Sequence, residues 1–157
     1  MKKEKAGDEL SSIKESALIK KITKSFKLSN KSSVLGIGDD AAILNFDHKE
    51  IIVSKDILIE GIHFDLSYMP LKHLGYKSIV VNVSDILSMN ANPSQVLVSI
   101  AASNRFKVDA MEAIYDGINA ACSEYNLDLV GGDTTSSNKG LITVSYTHLT
   151  LPTNREV

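Results

Sequence analysis

Apolar side chains recur at helical spacing in three segments of the chain. The first covers residues 10–26 and carries lysines on its other face, which is the pattern of an amphipathic helix. The second covers residues 71–89. It contains a strand-like run at 79–81, but its length favours a helix that ends before Pro93. The third, residues 108–125, has the most regular apolar stripe. The pattern therefore predicts three helices.

Shorter apolar runs, bounded by glycine, asparagine and charged residues, predict strands between these helices. They cover residues 33–37, 41–46, 51–59, 95–102, 127–130 and 141–146. The first two flank Gly38-Asp39-Asp40 and resemble a hairpin with an acidic loop. The elements do not alternate regularly as strand and helix, so we predict an α+β fold with a mixed or mostly antiparallel sheet packed with helices.

Composition narrows the class of protein. The 157 residues suffice for one domain, and the net charge of −2 gives no basic surface for nucleic acid. No apolar run approaches the roughly 20 residues that a membrane helix needs. The N-terminal lysines are not followed by the apolar stretch of a secretory signal. We therefore predict a cytoplasmic protein without nucleic-acid or membrane partners, in which the single cysteine, Cys122, is a small buried hydrophobic residue.

The chain is predicted to contain one domain between two tails. Residues 1–8 are polar and expected to be disordered, and residues 9–145 form the domain. The stretch YTHLTLPTNREV, residues 146–157, is short and polar and adds no closing element, so we interpret it as a non-native tail. His148 and Arg155 accordingly receive no functional role.

Several aspartates lie beside glycines or near strand ends, where backbone can approach a ligand. They are Asp39, Asp40, Asp56, Asp85 and Asp133. Carboxylates that are brought together repel unless a cation lies between them, and oxygen ligands favour Mg²⁺. Backbone N–H groups beside glycine can also reach phosphate oxygens. A shared metal site and separate structural roles, such as turns or a helix cap at Asp85, are equally compatible with this spacing.

Four segments, in order, resemble thiamine-monophosphate kinase. They are GIGDDAAIL (36–44), SKDILIEGIHFDLSYMP (54–70), GYKSIVVNVSDILSMNANP (75–93) and DLVGGDTTSS (128–137). The resemblance covers about residues 10–145 and implies the N-terminal domain of the aminoimidazole ribonucleotide synthetase-like fold. Related superfamily enzymes share the Gly-Asp-Asp and Gly-Gly-Asp elements, whereas the EGIHFD stretch points to the thiamine enzymes.

The resemblance implies ATP-dependent phosphorylation of thiamine monophosphate to thiamine diphosphate by a homodimer. The Mg²⁺ ligands that it implies are Asp40, Ser54, Asp56, Asp85 and Asp133. It also implies that His63 faces the substrate, that Gly132 and Asp133 lie at the ATP phosphates, and that Tyr115 lies near the nucleotide. No residue is implied as a covalent catalyst.

Two features depart from the family pattern. Lys55 stands where some members have threonine, and we expect it to contact phosphate or solvent. Family members also have a second domain that completes the active centre, so we expect this chain to be inactive by itself. Two alternatives remain: another ATP-dependent enzyme of the superfamily, of the selenophosphate or purine-pathway synthetase type, or a non-catalytic dimerisation fragment. Residues 1–35 contain no cysteine, which argues against a selenophosphate synthetase.

Overall fold

The computed structural model describes residues 14–35, 37, 43–45, 51–138 and 140–150. The elements in chain order are α1 (Glu15–Thr23), β1 (Ser33–Leu35), β2 (Ile43–Leu44), β3 (Ile51–Ile59), α2 (Leu71–Ser88), β4 (Gln95–Ala102), α3 (Val108–Tyr125), β5 (Asp128–Ser136) and β6 (Leu141–Thr150). The three predicted helices are present, and the predicted α+β class is confirmed.

Two sheets contain the described strands. The larger has four strands in the order β3-β6-β4-β5, and the smaller pairs β1 with β2. β4 and β5 are parallel, while β6 runs antiparallel to both β3 and β4, so the larger sheet is mixed as predicted. In the smaller sheet, Ser33 pairs with Leu44 and Leu35 with Ile43. This antiparallel pair confirms the predicted hairpin at its strands, although most of its loop lies outside the described residues.

Helices α2 and α3 touch through their backbones at two glycines. A Cβ atom on Gly75 would lie 1.9 Å from the carbonyl oxygen of Ile114, and one on Gly117 would lie 1.9 Å from that of Lys72. Only residues without a side chain permit so close a crossing. The crossing fixes α2 relative to α3, and α2 in turn lies against β3 and β6.

One face of the larger sheet is covered by this helical layer. Along β4, Val96, Val98, Ile100 and Ala102 are buried, whereas the intervening Leu97, Ser99 and Ala101 are only partly buried. Because successive side chains of a strand point to opposite faces, the core lies on one side of the sheet. Cys122 is buried in this core, as predicted, with 4% of its surface exposed. No helix among the described residues has the length and apolar character needed to cross a membrane.

Two predicted strand boundaries are wrong. β5 does not end before the glycines but runs from Asp128 to Ser136, because it pairs with β4 along its whole length. The last strand does not end at residue 146 but continues to Thr150, which pairs with Ile51 of β3. The predicted domain end at residue 145 therefore falls inside a strand. That residues 146–157 are non-native stays a prediction, and residues 1–8 lie outside the described residues.

Candidate metal and nucleotide site

Strand β3 presents two of the predicted ligands on one face. Its side chains alternate in exposure: Leu58 is buried, whereas Lys55 and Ile57 are exposed. Ser54 and Asp56 share the face of Leu58, which is the face that α2 covers. Lys55 lies on the other face, which separates its side chain from Ser54 and Asp56.

Asp85 approaches β3 from α2. The Ser54 hydroxyl donates a 2.8 Å hydrogen bond to Oδ2 of Asp85. The helix is continuous from Leu71 to Ser88, so Asp85 does not cap a helix start. The side chain is also exposed, and the burial penalty expected for an acid on an apolar helix face does not arise.

The position of Asp85 is electrostatically unfavourable for a different reason. It lies in the last turn of α2, where the carbonyl ends of the helix carry partial negative charge, and this turn contains no basic residue. Asp56 adds a second carboxylate to the same groove. A cation bound between these groups would relieve both effects.

The groove between α2 and β3 has a volume of about 560 Å³. Its lining residues are Asp56, Tyr76, Lys77, Val80, Val81, Ser84 and Asp85. The two carboxylates and the Ser54 hydroxyl are hard oxygen donors that suit Mg²⁺, which commonly takes one or two carboxylates and completes its shell with water and phosphate. No cluster of three or more His, Cys, Asp or Glu side chains able to hold a metal occurs in the part of the chain that the structure describes. The residues present therefore fit an Mg²⁺ ion that keeps most of its shell for other ligands.

Two further side chains of α2 shape the groove. The Tyr76 hydroxyl donates a 2.7 Å hydrogen bond to Glu124, and this bond to a carboxylate is the main reason that the pKa of Tyr76 is raised. Lys77 Nζ donates a 3.0 Å hydrogen bond to the backbone carbonyl of His63. This hydrogen bond joins the ammonium group of Lys77, which lines the groove, to the loop that follows β3.

His63 lies in that loop with its ring exposed. The backbone N–H of Ile59 donates a 3.0 Å hydrogen bond to Nδ1 of His63. In the neutral ring the proton is therefore on Nε2, which makes this nitrogen a donor. A donor is what an anionic substrate group would require.

Asp133 and Gly132 lie at the far edge of the sheet. Asp56 pairs with Ser145, Ser145 with Val98, and Val98 with Gly132. Three strand spacings of about 4.8 Å therefore separate β3 from β5, roughly 14 Å. Asp133 is one residue further along β5 and belongs to the opposite face of the sheet. The described residues thus bring Ser54, Asp56 and Asp85 together but do not bring Asp133 to them.

Gly132 has a structural reason to be glycine. Its φ is +157°, and a Cβ atom there would lie 1.8 Å from the carbonyl oxygen of Val98. The neighbouring strand excludes any side chain at this position, whether or not a ligand binds.

Tyr115 is buried, with 7% of its surface exposed. Its ring meets the ring of Phe26 edge-on at a centroid distance of 6.4 Å. Burial raises its pKa to about 12, partly offset by a hydrogen bond with the Thr134 side chain. Tyr115 thus supports β5 next to Asp133 from within the core, and its proximity to a nucleotide stays a prediction.

Asp40, the remaining predicted ligand, lies outside the described residues, as does Asp39. Sequence reasoning missed Lys77 and Val81 in the groove. The signal was present, because residues 77, 81 and 85 are spaced four apart and therefore lie on one face of a helix. It also missed Asp128, because nothing in the otherwise apolar strand segment around it indicates that its carboxylate is buried and hydrogen-bonded.

The fold and the groove belong to a defined class. The sequence profile of the AIR synthase related protein, N-terminal domain, matches residues 38–151. The chain therefore belongs to this family.

Within the family, the chain is similar to thiamine-monophosphate kinases, which confirms the resemblance. It is 40% identical over 113 residues to the enzyme of Bacillus subtilis (strain 168), covering 71% of this chain and 35% of that protein. It matches the solved structure of AaThiL complexed with AMPPCP and TMP with a TM-score of 0.62 and 31% identity, over 89% of this chain and 43% of that one. Escherichia coli HypE, at 16% identity and a TM-score of 0.70 over 87% of this chain and 43% of HypE, shares the fold alone. The matched part of the chain covers about a third of the length of these curated relatives.

Proposed function

We propose that this chain forms the Mg²⁺- and ATP-binding part of an enzyme that phosphorylates thiamine monophosphate to thiamine diphosphate. The observation that carries the proposal is the groove in which Ser54 and Asp56 of β3 meet Asp85 at the unpaired negative end of α2. Similarity to thiamine-monophosphate kinases, one of them solved with AMPPCP and TMP, supports the choice of substrates.

The chain's residues take distinct roles in this proposal. Asp56 and Asp85 hold Mg²⁺, with Asp40 as a further ligand, whereas Asp133, three strands away on the other face of the sheet, would contact the metal–nucleotide complex at a separate point. Ser54 uses its proton to bind Asp85, which leaves its oxygen lone pairs free to face the metal. When bound, Mg²⁺ would neutralise charge on the phosphate oxygens.

The remaining groups bind and orient the substrates. Lys77 places a positive charge beside the groove, where it can attract the polyphosphate. His63 offers Nε2–H to the phosphate of thiamine monophosphate. The Gly132 and Asp133 backbone faces the ATP phosphates. Such a site accelerates transfer through positioning and charge stabilisation, without a covalent intermediate on the protein.

The uncovered face of the sheet supports the proposed homodimer. Ile57 exposes 44% of its surface on that face, and Leu97 and Ala101 of β4 are only partly buried there. The exposed apolar side chains on this face, which also carries Lys55 and Asp133, gain stability when a second copy covers them. We also propose that the enzyme acts in the cytoplasm, where ATP and Mg²⁺ are available.

The proposed activity is tested with a chimera, because the matched part of this chain covers only 35% of the Bacillus subtilis relative. Residues 10–145 would replace the matching part of the Bacillus subtilis relative, and the product of ATP and thiamine monophosphate would be measured by chromatography. We expect thiamine diphosphate from the chimera and none from the chain alone.

The matched variants give the proposal its specificity. Asp85→Ala in the chimera should abolish the product while circular dichroism stays unchanged. Asp109→Ala, at an exposed acid in the first turn of α3, should retain activity. A chimera that folds and binds both substrates but forms no thiamine diphosphate would refute the proposed function.

A further inference from the structure

The hairpin of β1 and β2 is a separate two-stranded sheet, yet it carries the segment that contains Asp39 and Asp40. In sequence, residues 38–42 connect Ile37 to Ile43 of β2. A two-stranded hairpin has little stability of its own. Its placement therefore depends on what attaches it to the larger sheet.

One buried carboxylate provides most of this attachment. Oδ1 of Asp128, at the start of β5, accepts hydrogen bonds from the backbone N–H and the hydroxyl of Ser29, at 2.8 and 3.0 Å. Oδ2 accepts from the backbone N–H of Asn30 at 2.9 Å and from the hydroxyl of Ser33 at 2.7 Å. Four donors thus converge on a residue that is 1% exposed, and Ser33 is the first residue of β1.

A second buried polar residue reinforces the contact. Nε2 of Gln95, which is 0% exposed at the start of β4, donates to the hydroxyls of Ser32 and Ser33 at 2.7 and 2.9 Å. The Asn30 side-chain amide donates to the carbonyl of Ser94 at 3.0 Å. The segment before the hairpin is therefore bonded to the first residues of both β4 and β5.

The chemistry of the contact requires a carboxylate. Both oxygens of Asp128 receive two donors each, which an ionised carboxyl group can accept. An asparagine would offer one accepting oxygen and turn its NH₂ group towards the remaining donors. Hydrogen bonds to charged groups are also the stronger kind, and a buried donor left unpaired is costly.

We propose that Asp128 is a positioning residue, which fixes the β1–β2 hairpin on the larger sheet and thereby supports metal–nucleotide binding by the chain. The second half of this inference rests on the proposed function. Asp128 itself is buried and accepts its hydrogen bonds from Ser29, Asn30 and Ser33, so its proposed effect on binding is indirect.

Hydrogen exchange of the full 157-residue chain tests the first half directly. In Asp128→Asn, one of the amides of Ser29 and Asn30 loses its acceptor, and the other keeps only an uncharged oxygen. The amide of Asn45, which donates to the carbonyl of Ser32 at 2.9 Å, reports on the hairpin. We expect these three amides to exchange about tenfold faster or more, since one charge-assisted hydrogen bond is worth at least that factor. Amides of β4 and α3 should be unchanged.

Two comparison variants make the result decisive. Ile79→Val removes a buried methylene from α2, away from the hydrogen bonds of Asp128. It should therefore not selectively accelerate the exchange of these amides. Ser33→Ala removes one of the four donors and should show the same effect in weaker form, which serves as the test if Asp128→Asn does not fold. Unchanged exchange at Ser29, Asn30 and Asn45 in a folded variant would refute the proposal that Asp128 fixes the hairpin on the larger sheet.

Calorimetric titration with Mg²⁺·AMPPCP tests the second half. We expect Asp128→Asn to bind at least about fivefold more weakly than the wild-type chain. Faster amide exchange in Asp128→Asn with unchanged binding would refute the positioning role. Faster exchange in Asp128→Asn, combined with a wild-type chain that binds no Mg²⁺·AMPPCP, would support the attachment of the hairpin by Asp128 and refute the proposed function instead.

Discussion

The two adjacent glycines of β5 should respond very differently to alanine. At Gly132 the new Cβ atom would lie 1.8 Å from the carbonyl oxygen of Val98, whereas contacts under 3.0 Å essentially never occur. The strands would have to separate by about 1.2 Å, the difference between these distances, which weakens their hydrogen bonds. We expect Gly132→Ala to lower the free energy of unfolding by about 2–4 kcal/mol.

Gly131→Ala is the matched control. Its Cβ atom would lie 3.1 Å from Cδ2 of Leu97, the end of a flexible side chain that can move by a few tenths of an ångström. The small clash is offset by the entropy that alanine saves in the unfolded chain, so the free energy of unfolding should stay within about 0.5 kcal/mol of the wild type.

Urea unfolding followed by circular dichroism, in buffer with EDTA and no nucleotide, measures the difference. With a slope of about 2 kcal/mol per molar urea, the midpoint of Gly132→Ala should fall by about 1–2 M. Equal midpoints for the two variants would refute the close contact between β5 and β4. If the contact is real, lost nucleotide binding in a Gly132 variant reflects a displaced strand as well as any lost contact with phosphate.

Three further outcomes follow from buried groups. The pKa of Asp128 is lowered, because its four hydrogen bonds outweigh the opposing effect of burial. The stability that the ionised side chain contributes is therefore present above the unfolded pKa of about 3.9 and is lost as the pH falls through the folded pKa. Urea midpoints measured from pH 5 downwards should therefore fall more steeply for the wild type than for Asp128→Asn, and parallel curves would contradict this. Burial raises the pKa of Cys122 to about 12, with a smaller contribution from the charge of Asp128, so Ellman's reagent at pH 8 should modify it only in denaturant. Gly117→Ala should lower the thermal midpoint markedly, because its Cβ atom would meet the Lys72 carbonyl oxygen at 1.9 Å, and an unchanged midpoint would contradict the helix crossing.

Local patterns predicted the elements well where one periodicity dominated. The stripe of α3 and the alternation of β4 were found because each buries one face of a long segment. The apolar run predicts a strand that ends at residue 130, and it leaves Gly131 and Gly132 either in a structural turn or beside a ligand. The structure keeps them within β5, where the nearness of β4 requires Gly132. That cause lies in a residue 34 positions away in sequence, since Val98 and Gly132 pair across strands.

In the candidate site, too, the sequence identifies residues, but contacts between distant residues decide how they are arranged. Ser54, Asp56 and Asp85 could be named from the resemblance, but only the packing of α2 on β3 shows that Ser54 bonds to Asp85. Asp128 was unpredictable because its partners, Ser29 to Ser33, are nearly 100 residues away and lie between a helix and a strand. The residues around a buried acid in an apolar run do not indicate which distant donors offset the free-energy cost of burying its carboxylate.

Calorimetric titration of Mg²⁺·AMPPCP into the 157-residue chain tests the metal–nucleotide site most directly. We expect binding that requires Mg²⁺, that weakens at least about tenfold in Asp85→Asn, and that is unchanged in Asp109→Asn, an exposed acid away from the groove. Absent binding in the folded wild-type chain, or equal affinities for the wild type and Asp85→Asn, would contradict a metal site at Ser54, Asp56 and Asp85.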